Sequence, residues 1–167
     1  MLCFHFFGRE VIMGRRWRFW PLTGFLTAAV LGTLAHFTYR WSGGALLAGV
    51  FCAVNESVWE HMKLLFFPVF LFTAAQFCMG ERDGLLAARA VSVTAGLALI
   101  PTLYYTYTGI WGDHVLWADA AIFYLSAAVT FWLDDLLHRQ RRLWKMEYQV
   151  AGLVWLWVLA FLFVWWT

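Results

Sequence analysis

Charge is scarce in this chain of 167 residues: lysine and arginine together number 12, aspartate and glutamate 10, and charged residues make up 13% of the whole. A soluble domain carries about a quarter charged residues, so that composition, with a mean hydropathy of +0.67, argues against an ordinary water-soluble fold. The sequence contains no long polar stretch in which a soluble catalytic domain could sit, so any chemistry has to occur in or at a membrane. A net charge of +2 is too small to point to nucleic acid as a partner. Cysteine is confined to Cys3, Cys52 and Cys78, far apart, odd in number and without a C-x-x-C pair, which indicates neither a disulfide framework nor a thiolate zinc site. H-E-x-x-H and H-x-x-x-H are both missing, so a histidine metal site would have to be assembled from separate segments.

What is present is apolar: 63% hydrophobic and 20% aromatic residues. Four runs approach the roughly 20 apolar residues needed to cross a bilayer core, at residues 21–37, 85–103, 115–133 and 150–166, and a shorter fifth covers 64–79. The expected fold is an all-α polytopic membrane helix bundle of about five transmembrane helices forming a single domain over residues 1–167. The basic segment of residues 1–20 reads as a cytoplasmic N-terminus ahead of a retained first helix, since the apolar run after it carries no convincing small-x-small cleavage site; Met13 is an alternative start. Threading the spans with the N-terminus inside leaves ten of the twelve basic residues on the cytoplasmic side and only Arg40 and Lys63 outside. The C-terminus is then extracytoplasmic. The lipid bilayer is the expected partner, and the small size of the bundle suggests a homo-oligomer.

This threading gathers the polar residues into one extracytoplasmic layer: His36 and Tyr39 after the first span, the stretch NESVWEHMK before the second, Tyr104, Tyr105 and Tyr107 at the end of the third, and Asp113, His114 and Asp119 at the start of the fourth. Residues 45–54 cannot simply prolong the second helix. Together they would reach about 36 residues, or ~54 Å at 1.5 Å per residue, against a hydrocarbon core of about 30 Å. A break is required, either as a short interfacial helix or as a re-entrant half-helix turning at Asn55.

Ser57-Val58-Trp59-Glu60 has the S-x-x-E pattern of a capping box, with Asn55 a second favoured cap. That accounts for a helix start. If residues 56–63 are all helical, however, Glu56 and Glu60 repel each other at i and i+4 unless Lys63, a shared proton or a cation lies between them. Asp119 stands about one turn into the fourth span with no basic residue at i+3 or i+4, so its partner must come from another helix. The candidate ligand or ion pocket therefore comprises Asn55, Glu56, Ser57, Glu60, His61, Asp119, His36 and Tyr105. A divalent metal such as zinc is the cofactor these residue types suit, with His61, His36, His114 and Asp119 as its ligands. At the inner face, Asp134, Asp135 and His138 with the neighbouring arginines read as a solvated helix end.

The stretches LAHFTYRWSGG, NESVWEHMKLLFFP and YYTYTGI resemble a family of small bacterial membrane proteins classed only as a domain of unknown function. That resemblance covers roughly residues 33–125 and implies a multi-helix protein of the bacterial cytoplasmic membrane, with no activity attached. Ser57-x-x-x-His61 is also similar to the serine-histidine step of alkaline-ceramidase-like membrane hydrolases, which would make His61 a metal ligand, Ser57 its support and Asp119 a neighbour of the metal. Those proteins have seven helices and a later His-x-x-x-His pair; this chain has neither. Three functional classes follow: a pocket for a cation, proton or small polar ligand; a metal-dependent hydrolase of lipid esters or amides; and a structural or accessory subunit.

Overall fold

The structure, a computed structural model, describes residues 19–166. The basic segment 1–18, which holds most of the expected cytoplasmic N-terminus, and Thr167 lie outside the described residues. Among the described residues there are six α-helices, α1 (Trp20–Trp41), α2 (Leu46–Phe51), α3 (Val58–Cys78), α4 (Leu85–Trp111), α5 (Leu116–His138) and α6 (Met146–Trp165), and one 3-10 turn at Arg141–Trp144. All but α2 are long and apolar enough to cross a membrane. Each of these spans contains one of the five apolar runs, apart from a residue or so at an end, and most extend past it by one or two turns. The reason is that helical backbone bonding continues through polar end residues, which a hydropathy window rejects. At 27 residues, α4 is about 40 Å long, so its last turns at Tyr104 to Trp111 project beyond a hydrocarbon core of about 30 Å.

Local chemistry sets the helix limits. Pro21 occupies the first turn of α1, where its missing N–H forfeits no bond. Gly112 ends α4 in the left-handed conformation, its N–H bonded to the Thr108 carbonyl, a conformation strained for residues with a Cβ. The required break after α1 is made at Ser42, Gly43 and Gly44, followed by the six-residue α2 and an extended approach to Ser57. The segment folds back along the flank of α3: Phe51 packs edge-on against Phe67 with centroids 5.0 Å apart, and Lys63 reaches the Gly49 carbonyl.

The inner helices are α3 and α4, the most buried of the spans. The run Leu64 to Val69 is buried throughout and meets Val93, Leu97, Phe123, Phe131, Leu156 and Phe163 in one apolar core. In a bilayer, helices gain no hydrophobic drive from each other, so close approach at small residues matters. In α1 the buried residues Gly24, Ala28 and Gly32 recur every four positions, under the rings of Phe131 and Phe123. Pro68 has no N–H to give the Leu64 carbonyl, and that oxygen abuts Gly32, where an added Cβ would lie 2.8 Å from it. α6 makes a similar approach to α4, Gly152 against the backbone of Leu86.

Candidate functional site

The polar stretch before α3 divides into two parts with different jobs. Ser57 caps α3, its Oγ accepting from the Glu60 N–H at 3.3 Å, as the S-x-x-E pattern predicts. The reciprocal half of the capping box is not made. Asn55 Oδ1 already accepts from the Ser57 N–H at 2.9 Å. Glu60 instead turns into the protein, where Oε2 accepts from the Val54 N–H at 2.9 Å and pairs with Lys63 Nζ at 2.7 Å. Lys63 is fully buried and also donates to the Gly49 carbonyl at 3.1 Å. A charge-assisted bond of this kind is roughly twice as strong as a neutral one, which explains why the carboxylate prefers Lys63 to the cap. Asn55, Ser57 and Glu60 are thus committed to fixing the start of α3 and tying α2 to it.

Glu56 precedes the cap residue and is therefore off the helix. The expected i, i+4 stripe of Glu56 and Glu60 does not form, because α3 begins only at Val58. Released from the helix, Glu56 swings toward α1. Its Oε1 lies 3.7 Å from His36 Nε2 and its Oε2 3.7 Å from His61 Nε2. The ligand atoms of His36, Glu56 and His61 all fall within 4.8 Å of one another. The imidazoles stand with centroids 5.5 Å apart, and both are half-buried. His61 Nδ1 is 2.9 Å from the Ser57 carbonyl. Since a carbonyl only accepts, Nδ1 carries a proton, and Nε2 faces Glu56.

Beside this cluster lies a cavity of about 130 Å³, lined by Glu56 and His61 on one side, Tyr104, His114 and Asp119 on the other, and Val58, Ile100, Ile122 and Phe123 below. Tyr107 donates to Asp119 Oδ1 and accepts from the Val115 N–H at 3.2 Å, which ties the ends of α4 and α5 together. His114 Nδ1 lies 3.6 Å from Asp119 Oδ2. The histidine set expected for a metal therefore separates: His36 and His61 join Glu56, whereas His114 and Asp119 pair with each other across the cavity. Tyr105 points outward and is exposed, and its neighbour Tyr104 lines the cavity in its place. A second cavity, of about 250 Å³, opens on the other side of His61 and Asp119, between α1 and α5.

At the opposite end of the bundle is a polar centre that the sequence reading assigned to a solvated helix end. Arg89 is 1% exposed and all three of its guanidinium nitrogens are engaged: Nε and Nη2 donate to the two Asp134 oxygens at 3.1 and 2.9 Å, Nη1 to Thr73 at 3.1 Å, and Nη2 also to Gln76 Oε1 at 2.8 Å. The rings of Phe72 and Phe131 face the same cation at 5.6 and 5.0 Å. Asp134 and His138 are buried, while Asp135 pairs with Arg139 at the surface. The signal was present in the sequence as Ser126, Thr130, Asp134 and His138, four apart along α5, a polar stripe where an apolar one belongs.

The model of a family of unknown function (DUF6512) matches residues 11–167. No curated protein and no solved structure matches the chain.

Proposed function

Because this chain belongs to that family of unknown function, its activity has to be read from its own side chains, and we propose that it is an integral membrane protein that binds a divalent transition metal, zinc being the best match, through His36, His61 and Glu56. The observation that carries the reading is the carboxylate standing 3.7 Å from each of two imidazole nitrogens. That separation is too long for hydrogen bonds. In a tetrahedral zinc site with bonds of about 2.0–2.1 Å, neighbouring ligand atoms lie about 3.4 Å apart, so each group is within a small shift of a coordinating position. His61 has the support that metal-bound histidines show, its other nitrogen donating to a backbone carbonyl.

Three protein ligands leave a fourth position, the arrangement of sites that bind water or a substrate rather than of closed structural sites. The cavity of about 130 Å³ adjoins that position. Asp119, held by Tyr107 on its far wall, favours the enzymatic form of the reading: the metal that His36, His61 and Glu56 would hold would supply an activated water for hydrolysis of an ester or amide, and Asp119 would accept the water's proton and return it to the departing alcohol or amine. The arginines and the lysine at the other end of the bundle support an orientation with that end cytoplasmic and the metal site on the extracytoplasmic side.

Elemental analysis of the detergent-purified chain after incubation with zinc tests the reading. The expected result is about one zinc per chain in the wild type and at least a tenfold weaker affinity in His61→Ala and Glu56→Gln, with Tyr105→Phe unchanged. A folded wild-type protein that takes up neither zinc nor cobalt(II) would overturn it.

A further inference from the structure

The second cavity has a different character from the polar one it adjoins. Its polar end is formed by His36, His61 and Asp119, and its walls by Phe37, Leu116, Ala120 and Phe123. At the inner end Thr33 Oγ1 and Tyr124 Oη are hydrogen-bonded at 2.9 Å, forming a floor. Deeper still, α1 and α5 close on each other where Phe131 covers Gly24. From Leu116 to Tyr124 along α5 is about 12 Å, so the space is a slot running from the polar centre down between two spans. Phe37, Leu116, Ala120 and Tyr124 are exposed on the outside of those spans, which makes the open side of the slot face hydrocarbon. His61, Asp119 and Phe123 line both cavities, so the polar pocket and the apolar slot adjoin each other across these side chains.

We propose that the ligand of this centre is a bilayer lipid that enters sideways between α1 and α5, its polar end at the histidine and carboxylate cluster and its acyl chain in the slot. The proposal rests on the metal-site reading for what holds the polar end. A water-soluble ligand would reach the polar cavity from outside and leave the slot without a use. An amphiphile already in the membrane uses both, and its apolar part never leaves an apolar environment.

The test reconstitutes the full chain in phosphatidylcholine vesicles containing a fatty acid with a diazirine in its chain, irradiates, and maps the labelled peptides by mass spectrometry. Labelling is expected to concentrate on α1 and α5 around the slot and to fall at least fivefold in Ala120→Trp, which fills it. Ala121→Trp, exposed on the same helix but lining a different surface cavity, serves as the control and should label as the wild type does. If Ala120→Trp does not fold, Leu116→Trp at the mouth replaces it. Labelling spread evenly over the lipid-facing helices, or unaffected by either filling variant, overturns the proposal. Zinc content, measured on the same samples, separates the two readings: slot labelling lost in Ala120→Trp without bound zinc upholds the lipid slot and removes the metal, and bound zinc with indifferent labelling does the reverse.

Discussion

Replacing Asp134 by alanine leaves the Arg89 guanidinium buried without its carboxylate, and the structure allows the cost to be bracketed. Removing one partner of a buried ion pair destabilises by about 3–5 kcal/mol, because the other charge is stranded. Here Gln76, Thr73 and the faces of Phe72 and Phe131 still surround the cation, which puts the cost near ~3 kcal/mol. For a chain of this size that is a fall in Tm of roughly 6–12 °C. Arg89→Met with Asp134 retained should fall at least as far, since the carboxylate then has no cation. The double variant Arg89→Met with Asp134→Leu removes both charges and strands only the Gln76 amide, an expense of about 1–3 kcal/mol. The two substitutions should therefore be less than additive by at least about 1.5 kcal/mol. Thermal unfolding of the detergent-solubilised chain, followed by loss of the monodisperse size-exclusion peak, measures this. A shift below about 2 °C in Asp134→Ala, or strict additivity in the double variant, would refute the claim that the pair is buried and mutually dependent.

Other substitutions probe other parts of the bundle. Gly152→Ala places a Cβ 2.5 Å from the Leu86 carbonyl oxygen and 2.6 Å from its carbon; these are backbone atoms, so α4 and α6 must separate, and a loss of about 1–3 kcal/mol is expected by the same unfolding assay. Burial, only partly opposed by the Thr38 hydroxyl and the Lys63 charge, holds the Cys52 thiol above its usual value. Less of it is thiolate at mildly alkaline pH, so iodoacetamide should modify Cys52 on the order of tenfold more slowly than free cysteine, as read by peptide mapping; equal rates would refute the placement. An imidazole ligates a metal only when neutral, so if zinc binds at His36 and His61 as proposed, acidification from neutral to about pH 5 should release it to a colorimetric chelator, whereas retention through that range would contradict imidazole ligation.

The spans were legible because a bilayer imposes length and apolarity together, and each apolar run became a helix. Their ends were not, since Val58 to Lys63 and Tyr104 to Trp111 are helical yet polar or aromatic, and hydropathy registers solvent rather than backbone bonding. The convergence of His36, His61, His114 and Asp119 at one end followed from topology alone. The division of labour within NESVWEH did not. Glu56 and Glu60 are chemically equivalent in the sequence, and only the approach of α2, bringing the Val54 N–H and the Gly49 carbonyl to the Glu60–Lys63 pair, decides which carboxylate is buried and which is free. Arg89 was counted with the arginines that set topology, although one turn inside a helix it needed a buried acceptor. The stripe ending in Asp134 and His138 was where to look for one.

The three clustered residues also lie close in sequence, between positions 36 and 61, His36 in α1, His61 in α3 and Glu56 in the connection between them. During synthesis α1 and α3 emerge before α4 and α5 exist, and a hairpin of neighbouring segments closes at little entropic cost. Gly32 against the Leu64 carbonyl sets the register between α1 and α3, so pairing of those two helices alone would bring His36 and His61 opposite each other. The Asp119 wall and the Arg89–Asp134 clamp wait for α5. A nascent chain built this way has its histidines and Glu56 in place first and acquires the enclosure around them last, so an ion captured early would act as a template on which the later helices assemble.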